Sequence, residues 1–237
     1  MESDIEDCVA GTFGTSPSPL HLVQIREPGP SRVPVPPHVG HVFIVVLISC
    51  AALTHNHITF FEENRYFYDE DGTIGSLVNE LEQLGIAEDE KGSELAIPRL
   101  LQTSARSILE PFLICPDFQL RITLGADPGH RFIFSIEPGQ KEYIIVHMWS
   151  PGSEAVLYRN SHRDLPTLPP LKAAQASNGL LEPAGAALKK RNYSPMPVTL
   201  KQGGIAITDR RFCIEISKGS TITYDLRLKD ARGTAQR

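Results

Sequence analysis

The sequence has few cysteines, and none of them is spaced as a paired-thiolate metal site requires. Only four of its 237 residues are cysteine, and no Cys-x-x-Cys pair occurs. We therefore expect no zinc site built on paired cysteines. The start of the chain is acidic, whereas a secretory signal begins with positive charge before an apolar run. Reduced thiols and the absence of that signal predict a cytoplasmic protein.

The sequence also lacks concentrated positive charge and long apolar runs. The net charge is −5, and Lys189-Lys190-Arg191 is the only basic triplet. Binding to nucleic acid phosphates needs clustered Lys and Arg, so we expect no nucleic acid partner. The longest apolar run is Val42–Leu53, and a membrane-spanning helix needs about 20 such residues. Its Val and Ile content predicts a buried strand, and we expect no membrane contact.

Several common catalytic motifs are missing. There is no Gly-x-Ser-x-Gly elbow, no phosphate-binding Gly-rich loop and no Rossmann fingerprint. These absences argue against serine hydrolases, P-loop nucleotidases and dinucleotide-dependent dehydrogenases. With 41% hydrophobic and 22% charged residues, the composition is that of an ordinary globular protein of one large or two small domains.

The first half of the chain divides into a tail and a helical part. Residues 1–38 contain seven prolines and little apolar surface, which predicts a disordered Pro-rich tail. Residues 39–115 hold the apolar run and two segments with helical spacing of apolar residues, Ile74–Leu84 and Pro98–Leu113. We expect these helices to lie outside a β-structure, as a buttress.

From residue 116 the pattern becomes that of short strands separated by turn residues, ending at residue 226 before a polar tail over 227–237. Such spacing predicts an antiparallel sandwich or barrel. A long interruption over residues 163–197, rich in Pro, Ala and Gly, predicts a loop or lid with at most one helical turn. The predicted strands are Phe118–Leu124, Arg131–Ile136, Glu142–Met148, Glu154–Tyr158, Val198–Leu200, Gly204–Thr208, Arg211–Ile216 and Thr221–Leu226.

Residues 139–162 hold the densest group of candidate functional side chains. Two strands flank a Pro-Gly turn, and the stretch contains the only tryptophan of the chain. Alternation along a strand places Tyr143, His147 and Trp149 on one face. That face either lines an aromatic pocket for a flat small molecule or fills the core, with His147 bonded to a backbone carbonyl. The sequence leaves both readings open.

These residues resemble the first cupin motif, which runs Gly, His-x-His, Glu, Gly. The corresponding positions here are Gly139, His147, Trp149, Glu154 and Ser161. The Fe(II)/2-oxoglutarate dioxygenases share the cupin architecture. The stretches Pro151-Gly152-Ser153 and Ser161-His162 are similar to a Pro-Gly-Ser-His stretch in the phytanoyl-CoA-hydroxylase-like branch of those enzymes. The resemblance implies a mainly β fold with flanking helices, namely a cupin-like double-stranded β-helix or jelly-roll barrel.

The chain departs from that motif at the metal ligands. A cupin site takes three His and one Glu, but Trp149 and Ile214 stand at two of the four positions. With those two positions lost, the resemblance implies that Fe(II) would be bound by a noncanonical set of ligands, namely His147, Glu154 and His162. Arg211 lies where it would bind a carboxylate, as the 2-oxoglutarate-binding Arg does in that family.

Two functions remain open. The first is a small-molecule enzyme or binder with its site in the barrel mouth, acting either as an iron oxidoreductase or without metal. In it His147 and Glu154 are the catalytic acid and base, and Tyr143, Trp149 and Arg211 bind substrate. The second is a non-catalytic scaffold or interaction module that has lost its metal ligands. The sequence does not identify a cofactor, and it is compatible with a homodimer.

Overall fold

The computed structural model describes residues 56–229. The predicted Pro-rich tail and the apolar run Val42–Leu53 lie outside the described residues, as does the polar tail beyond residue 229. Within residues 56–229, no helix is long and apolar enough to cross a membrane.

The described chain forms ten strands and five helical segments. The helices are α1 (residues 56–64), α2 (Gly72–Leu84), α3 (Glu90–Leu100), α4 (Arg106–Leu113) and α5 (Gly185–Lys190). The strands are β1 (Tyr66–Glu70), β2 (Asp117–Gly125), β3 (Tyr143–Trp149), β4 (Ser153–Arg159), β5 (Ala173–Gln175), β6 (Leu181–Pro183), β7 (Ser194–Leu200), β8 (Gly204–Thr208), β9 (Cys213–Lys218) and β10 (Ser220–Arg227).

Two antiparallel sheets carry the fold. One has the order β1-β8-β3-β10-β2 and the other the order β7-β4-β9, while β5 and β6 form a separate hairpin. The chain changes sheet at each of the connections β3–β4, β7–β8, β8–β9 and β9–β10. Such alternation is compatible with a β-sandwich or jelly roll, so the prediction of a mainly β fold with helices is confirmed.

The three central strands of the five-stranded sheet, β8, β3 and β10, are buried on both faces. Successive side chains of a strand point to opposite sides of the sheet, so each strand contributes to two cores. Ile144, Val146 and Met148 of β3 belong to a core that also contains residues of α2, α3 and α4. Trp149 belongs to a second core, with Leu157 and other residues of the three-stranded sheet. α2, α3 and α4 therefore pack on the outer face of the larger sheet.

One predicted helix is confirmed and the other is wrong in its bounds. Ile74–Leu84 lies in α2, which begins at Gly72 because the Asp71 carboxylate accepts hydrogen bonds from the backbone N–H groups of Thr73 and Ile74. The predicted helix Pro98–Leu113 is instead divided between α3 and α4. The hydroxyl of Thr103 donates to the carbonyl of Leu100 at 2.7 Å and ends the first of them.

Seven of the eight predicted strands are present, with bounds shifted by a few residues. The exception is Arg131–Ile136, which makes only the single bridges Phe132–Ile214 and Ile133–Leu181. Its pairing stops because the next two backbone N–H groups, those of Phe134 and Ser135, both donate to the carbonyl of Arg210.

The predicted loop over residues 163–197 is more ordered than its composition indicates. It contains the β5–β6 hairpin, α5 and the first part of β7. Leu171, Leu188 and Tyr193 from this segment form a third core with Tyr158 and Cys213. The segment therefore covers the outer face of the three-stranded sheet.

Close contact between α2 and the β7–β8 turn gives a stability prediction. A Cβ at Gly75 would overlap the backbone carbonyl of Gln202, whereas at Gly72 it would lie 3.0 Å from the end of the flexible Gln202 side chain. We expect Gly75→Ala to lower the free energy of unfolding by roughly 1–3 kcal/mol, because backbone must move. Gly72→Ala should change it by less than about 1 kcal/mol. Urea denaturation measures both, and equal losses would contradict the prediction.

Candidate functional site

His147 lies in the buried interior of the sandwich. It is completely buried in the centre of β3. Its Nδ1 atom is 3.0 Å from the hydroxyl of Thr223 on β10, and its Nε2 atom is 3.3 Å from the hydroxyl of Thr208 on β8. The hydrogen-bond partners of His147 are thus two hydroxyls of neighbouring strands. A backbone carbonyl was the partner predicted for a His147 that fills the core. Burial lowers the pKa of His147 to about 3.

Aromatic rings fill the space around this imidazole. The ring centroids of Phe134 and Trp149 each lie 5.9 Å from that of His147. Trp149 is only 1% exposed. The inward face of β3 therefore forms core at these positions. Tyr143, at the start of the same strand, is half-buried and lies beneath the guanidinium of Arg210, 4.3 Å from its ring centroid.

The three residues of the predicted metal set do not come together. Glu154 lies on the other sheet, is half-exposed and pairs with Lys218 at 3.6 Å. His162 follows β4 and stacks on Phe212, with ring centroids 6.0 Å apart. Residues 56–229 contain no group of three or more His, Cys, Asp or Glu side chains that could hold a metal ion. Since both nitrogens of His147 are also hydrogen-bonded, these residues do not fit the iron that the resemblance implies.

A cavity of about 310 Å³ lies instead at one end of the sandwich. Its walls come from the end of α1, the loops before β3 and after β4, and the β8–β9 loop. We call it the mouth cavity and define it by Arg65, His162, Arg163, Asp209 and Arg211. Two of the predicted site residues, His162 and Arg211, therefore line one concave surface.

Asp209 connects two elements of the mouth cavity. Its Oδ2 atom accepts hydrogen bonds from Nε and Nη2 of Arg65 at 3.2 and 3.0 Å. Its Oδ1 atom accepts one from the backbone N–H of Arg211 at 2.9 Å. The backbone N–H of Asp209 in turn donates to the carbonyl of Arg65. These bonds fix the end of α1 to the β8–β9 loop and neutralise the Arg65 guanidinium.

Arg211 already binds a carboxylate. Its side chain is 10% exposed, and its two terminal nitrogens donate to Asp164 Oδ2 and Oδ1 at 3.1 and 2.6 Å. This bidentate geometry is the one that arginine uses for strong carboxylate recognition. Hydrogen bonding from Arg211 holds the pKa of Asp164 below its usual value. Asp164 itself is 52% exposed on the loop after β4.

His162 has an unusually positive environment for an imidazole. Its Nε2 atom accepts a hydrogen bond from Nε of Arg163 at 3.2 Å, since a guanidinium can only donate. The buried Nδ1 atom has no hydrogen-bond partner among the described residues. The pKa of His162 is lowered to about 4, mainly by burial. Asp209 acts to raise it, and Arg163, Arg65 and Arg211 act to lower it. His162 is therefore neutral at pH 7.

The structure adds an ion pair that the sequence reading missed. Arg210 Nη2 lies 2.7 Å from Asp225 Oδ2, and Asp225 is 2% exposed. The signal was present in β10, where Thr221, Thr223 and Asp225 alternate with apolar residues and mark a polar inward face. Arg65, Asp164 and Asp209 carried no comparable pattern, because their partners are distant in sequence.

No protein-family model matches this sequence, and no curated protein matches it. Among solved structures, the chain is similar to one described as "Crystal Structure of AviO1 from Streptomyces viridochromogenes Tue57". The identity is 11%, the match covers 76% of this chain and 96% of that chain, and the TM-score is 0.47.

The buried neutral His147 predicts acid sensitivity. The unfolded chain binds the imidazole proton below pH 6.5, whereas the folded chain binds it only near pH 3. The unfolded state therefore holds more protons between these values, and stability falls as the pH decreases through this window. The contribution between pH 7 and pH 4 is on the order of 3 kcal/mol. Urea denaturation of His147→Gln should show a correspondingly smaller fall than the wild type.

The matched control is His130→Gln, because His130 is exposed and pairs only with Glu182 at the surface. We expect this variant to retain the wild-type pH dependence of unfolding. If His147→Gln also retained it, the neutral buried state of His147 would not be the source of acid sensitivity.

Proposed function

We propose that this protein is a metal-independent binding protein of the double-stranded β-helix type. Its ligand is a small carboxylate-bearing molecule held in the mouth cavity. The alternation of consecutive strands between the two sheets supports this architecture. The cavity volume of about 310 Å³ suits a molecule of a few carbon atoms, at the small end of ligand sites.

The pair of Arg211 and Asp164 carries the proposal. Asp209 fixes the backbone N–H of Arg211, and the Arg211 guanidinium presents two donors to a carboxylate of the chain itself. Because Asp164 is half-exposed on a loop, water can solvate its carboxylate when the carboxylate leaves Arg211. A ligand carboxylate can take its place on Arg211 without leaving a buried charge unpaired. Asp164 then acts as an internal competitor for the ligand.

Other groups around the cavity provide contacts for the rest of the ligand. Lys141 and Arg163 line it and form no ion pair in the described part of the chain, and the same holds for Glu62 and Glu63. A ligand that bears a second carboxylate or an ammonium group finds an oppositely charged partner among them. Dicarboxylates and acidic amino acids have this character.

The interior of the sandwich has a different role in this proposal. His147 bonds to two threonine hydroxyls and is closed off by Phe134 and Trp149, so it supports folding instead of catalysis. The catalytic roles of His147 and Glu154 and the substrate contacts of Tyr143 and Trp149 stay predictions. So do the absence of nucleic acid and membrane partners and the option of a homodimer.

Calorimetric titration with 2-oxoglutarate and glutamate tests the proposal. We expect saturable binding in buffer that contains a chelator, unchanged by added Mn²⁺. Arg211→Gln should weaken it by about tenfold or more, because a bidentate charge-assisted contact is lost. Asp164→Asn should tighten it by about twofold to fivefold, because the internal competitor loses its charge.

The matched control is Arg106→Gln, which makes the same charge change on α4 at a residue paired only with Glu110. Its affinity should equal that of the wild type. Two results would contradict the proposal: no saturable binding of either carboxylate, or equal affinity in the wild type and Arg211→Gln.

A further inference from the structure

The guanidinium of Arg210 is held by three different groups. Nη2 lies 2.7 Å from Asp225 Oδ2, and Nη1 donates to Oε1 of Gln140 at 3.1 Å. The central guanidinium carbon lies 4.3 Å from the centroid of the Tyr143 ring. An anion, a neutral acceptor and an aromatic face thus surround one planar cation.

This guanidinium lies between the mouth cavity and the sandwich interior. Gln140 lines the mouth cavity, as do Asp209 and Arg211 on either side of Arg210 in the chain. Asp225 lies two positions after Thr223 on β10, so the two side chains are on the same face of the strand. That face points inward, because the Thr223 hydroxyl contacts His147. Arg210 therefore separates the open end of the sandwich from its buried polar residues.

The ion pair is poorly satisfied for such a buried position. Asp225 Oδ1 and Arg210 Nε are both buried without a hydrogen-bond partner in the described chain. Burial raises the pKa of Asp225, and Arg210 acts in the opposite direction. A buried pair of this kind gives little net stability over apolar residues of equal size, although loss of one partner is costly. The location of the pair, between the mouth cavity and the sandwich interior, therefore says more about its role than its contribution to stability does.

We propose that Asp225, Gln140 and Tyr143 form a binding site for a planar organic cation, which Arg210 fills as a tethered internal ligand. The carboxylate and the amide oxygen accept hydrogen bonds in the plane of the cation, and the ring covers its face. Small guanidinium and amidinium ions have this shape and donor pattern. Shortening Arg210 leaves the site open to them.

The test is rescue of Arg210→Ala by methylguanidinium. We expect the variant to melt about 10 °C below the wild type, because it leaves Asp225 buried and unpaired. Methylguanidinium at millimolar concentration should recover at least half of this loss, and equal sodium chloride should not. NMR should show saturable shifts at Tyr143 and Gln140. The wild type should show neither effect, because its own guanidinium occupies the site.

Arg121→Ala is the matched control, since Arg121 also stacks on an aromatic ring, that of Phe118 at 4.1 Å, but forms no ion pair in the described chain. Methylguanidinium should not stabilise it, nor the double variant Arg210→Ala/Asp225→Asn. Where Arg210→Ala does not fold alone, the readout is recovery of folded protein on refolding with methylguanidinium. Absence of rescue, or equal rescue in either control, would overturn the proposal.

Discussion

Burial of both faces of β3 is the constraint on which the rest of the structure depends. Every residue from Ile144 to Trp149 is buried, with even positions packed against helices and odd positions facing the interior. Six consecutive buried residues leave no room for a charged group on this strand. The one ionisable side chain in the run, His147, is accordingly neutral and bonded to hydroxyls.

Four charged groups lie together at the open end of the sandwich. Arg65, Asp209, Arg211 and Asp164 form two ion pairs there, where water still reaches part of each group. A half-exposed carboxylate such as that of Asp164 can be solvated by water when it leaves its partner, whereas a deeply buried one is left unpaired. The same distinction separates Asp164, which we propose is replaced by a ligand, from Asp225, which is buried against Arg210.

Local patterns in the sequence predicted the elements that depend on local chemistry. Alternation in Tyr143–Trp149 predicted one inward face, and the apolar spacing of Ile74–Leu84 predicted α2. Tyr66–Glu70 was not predicted as a strand, because the Asp71-Gly72 pair that follows it is typical of a turn. Pairing with β8 and the cap that Asp71 provides for α2 overrule that preference.

The candidate site was less predictable because its contacts join distant parts of the chain. Arg65 and Asp209 are 144 residues apart, and Arg211 and Asp164 are 47 apart. The motif resemblance directed attention to His147, Glu154 and His162 as one set, but these lie in the interior, on an exposed strand face and at the mouth. Of the predicted catalytic, substrate-binding and metal residues, only Arg211 and His162 line the mouth cavity.

We propose that Arg211 exchanges the carboxylate of Asp164 for that of a ligand. A crystal structure of the protein grown with 2-oxoglutarate tests it most directly. We predict a ligand carboxylate bound to both terminal nitrogens of Arg211, with Asp164 turned into solvent and the hydrogen bonds of His147 unchanged. An Asp164 still paired with Arg211, or a ligand bound in the interior beside His147, would contradict the claim.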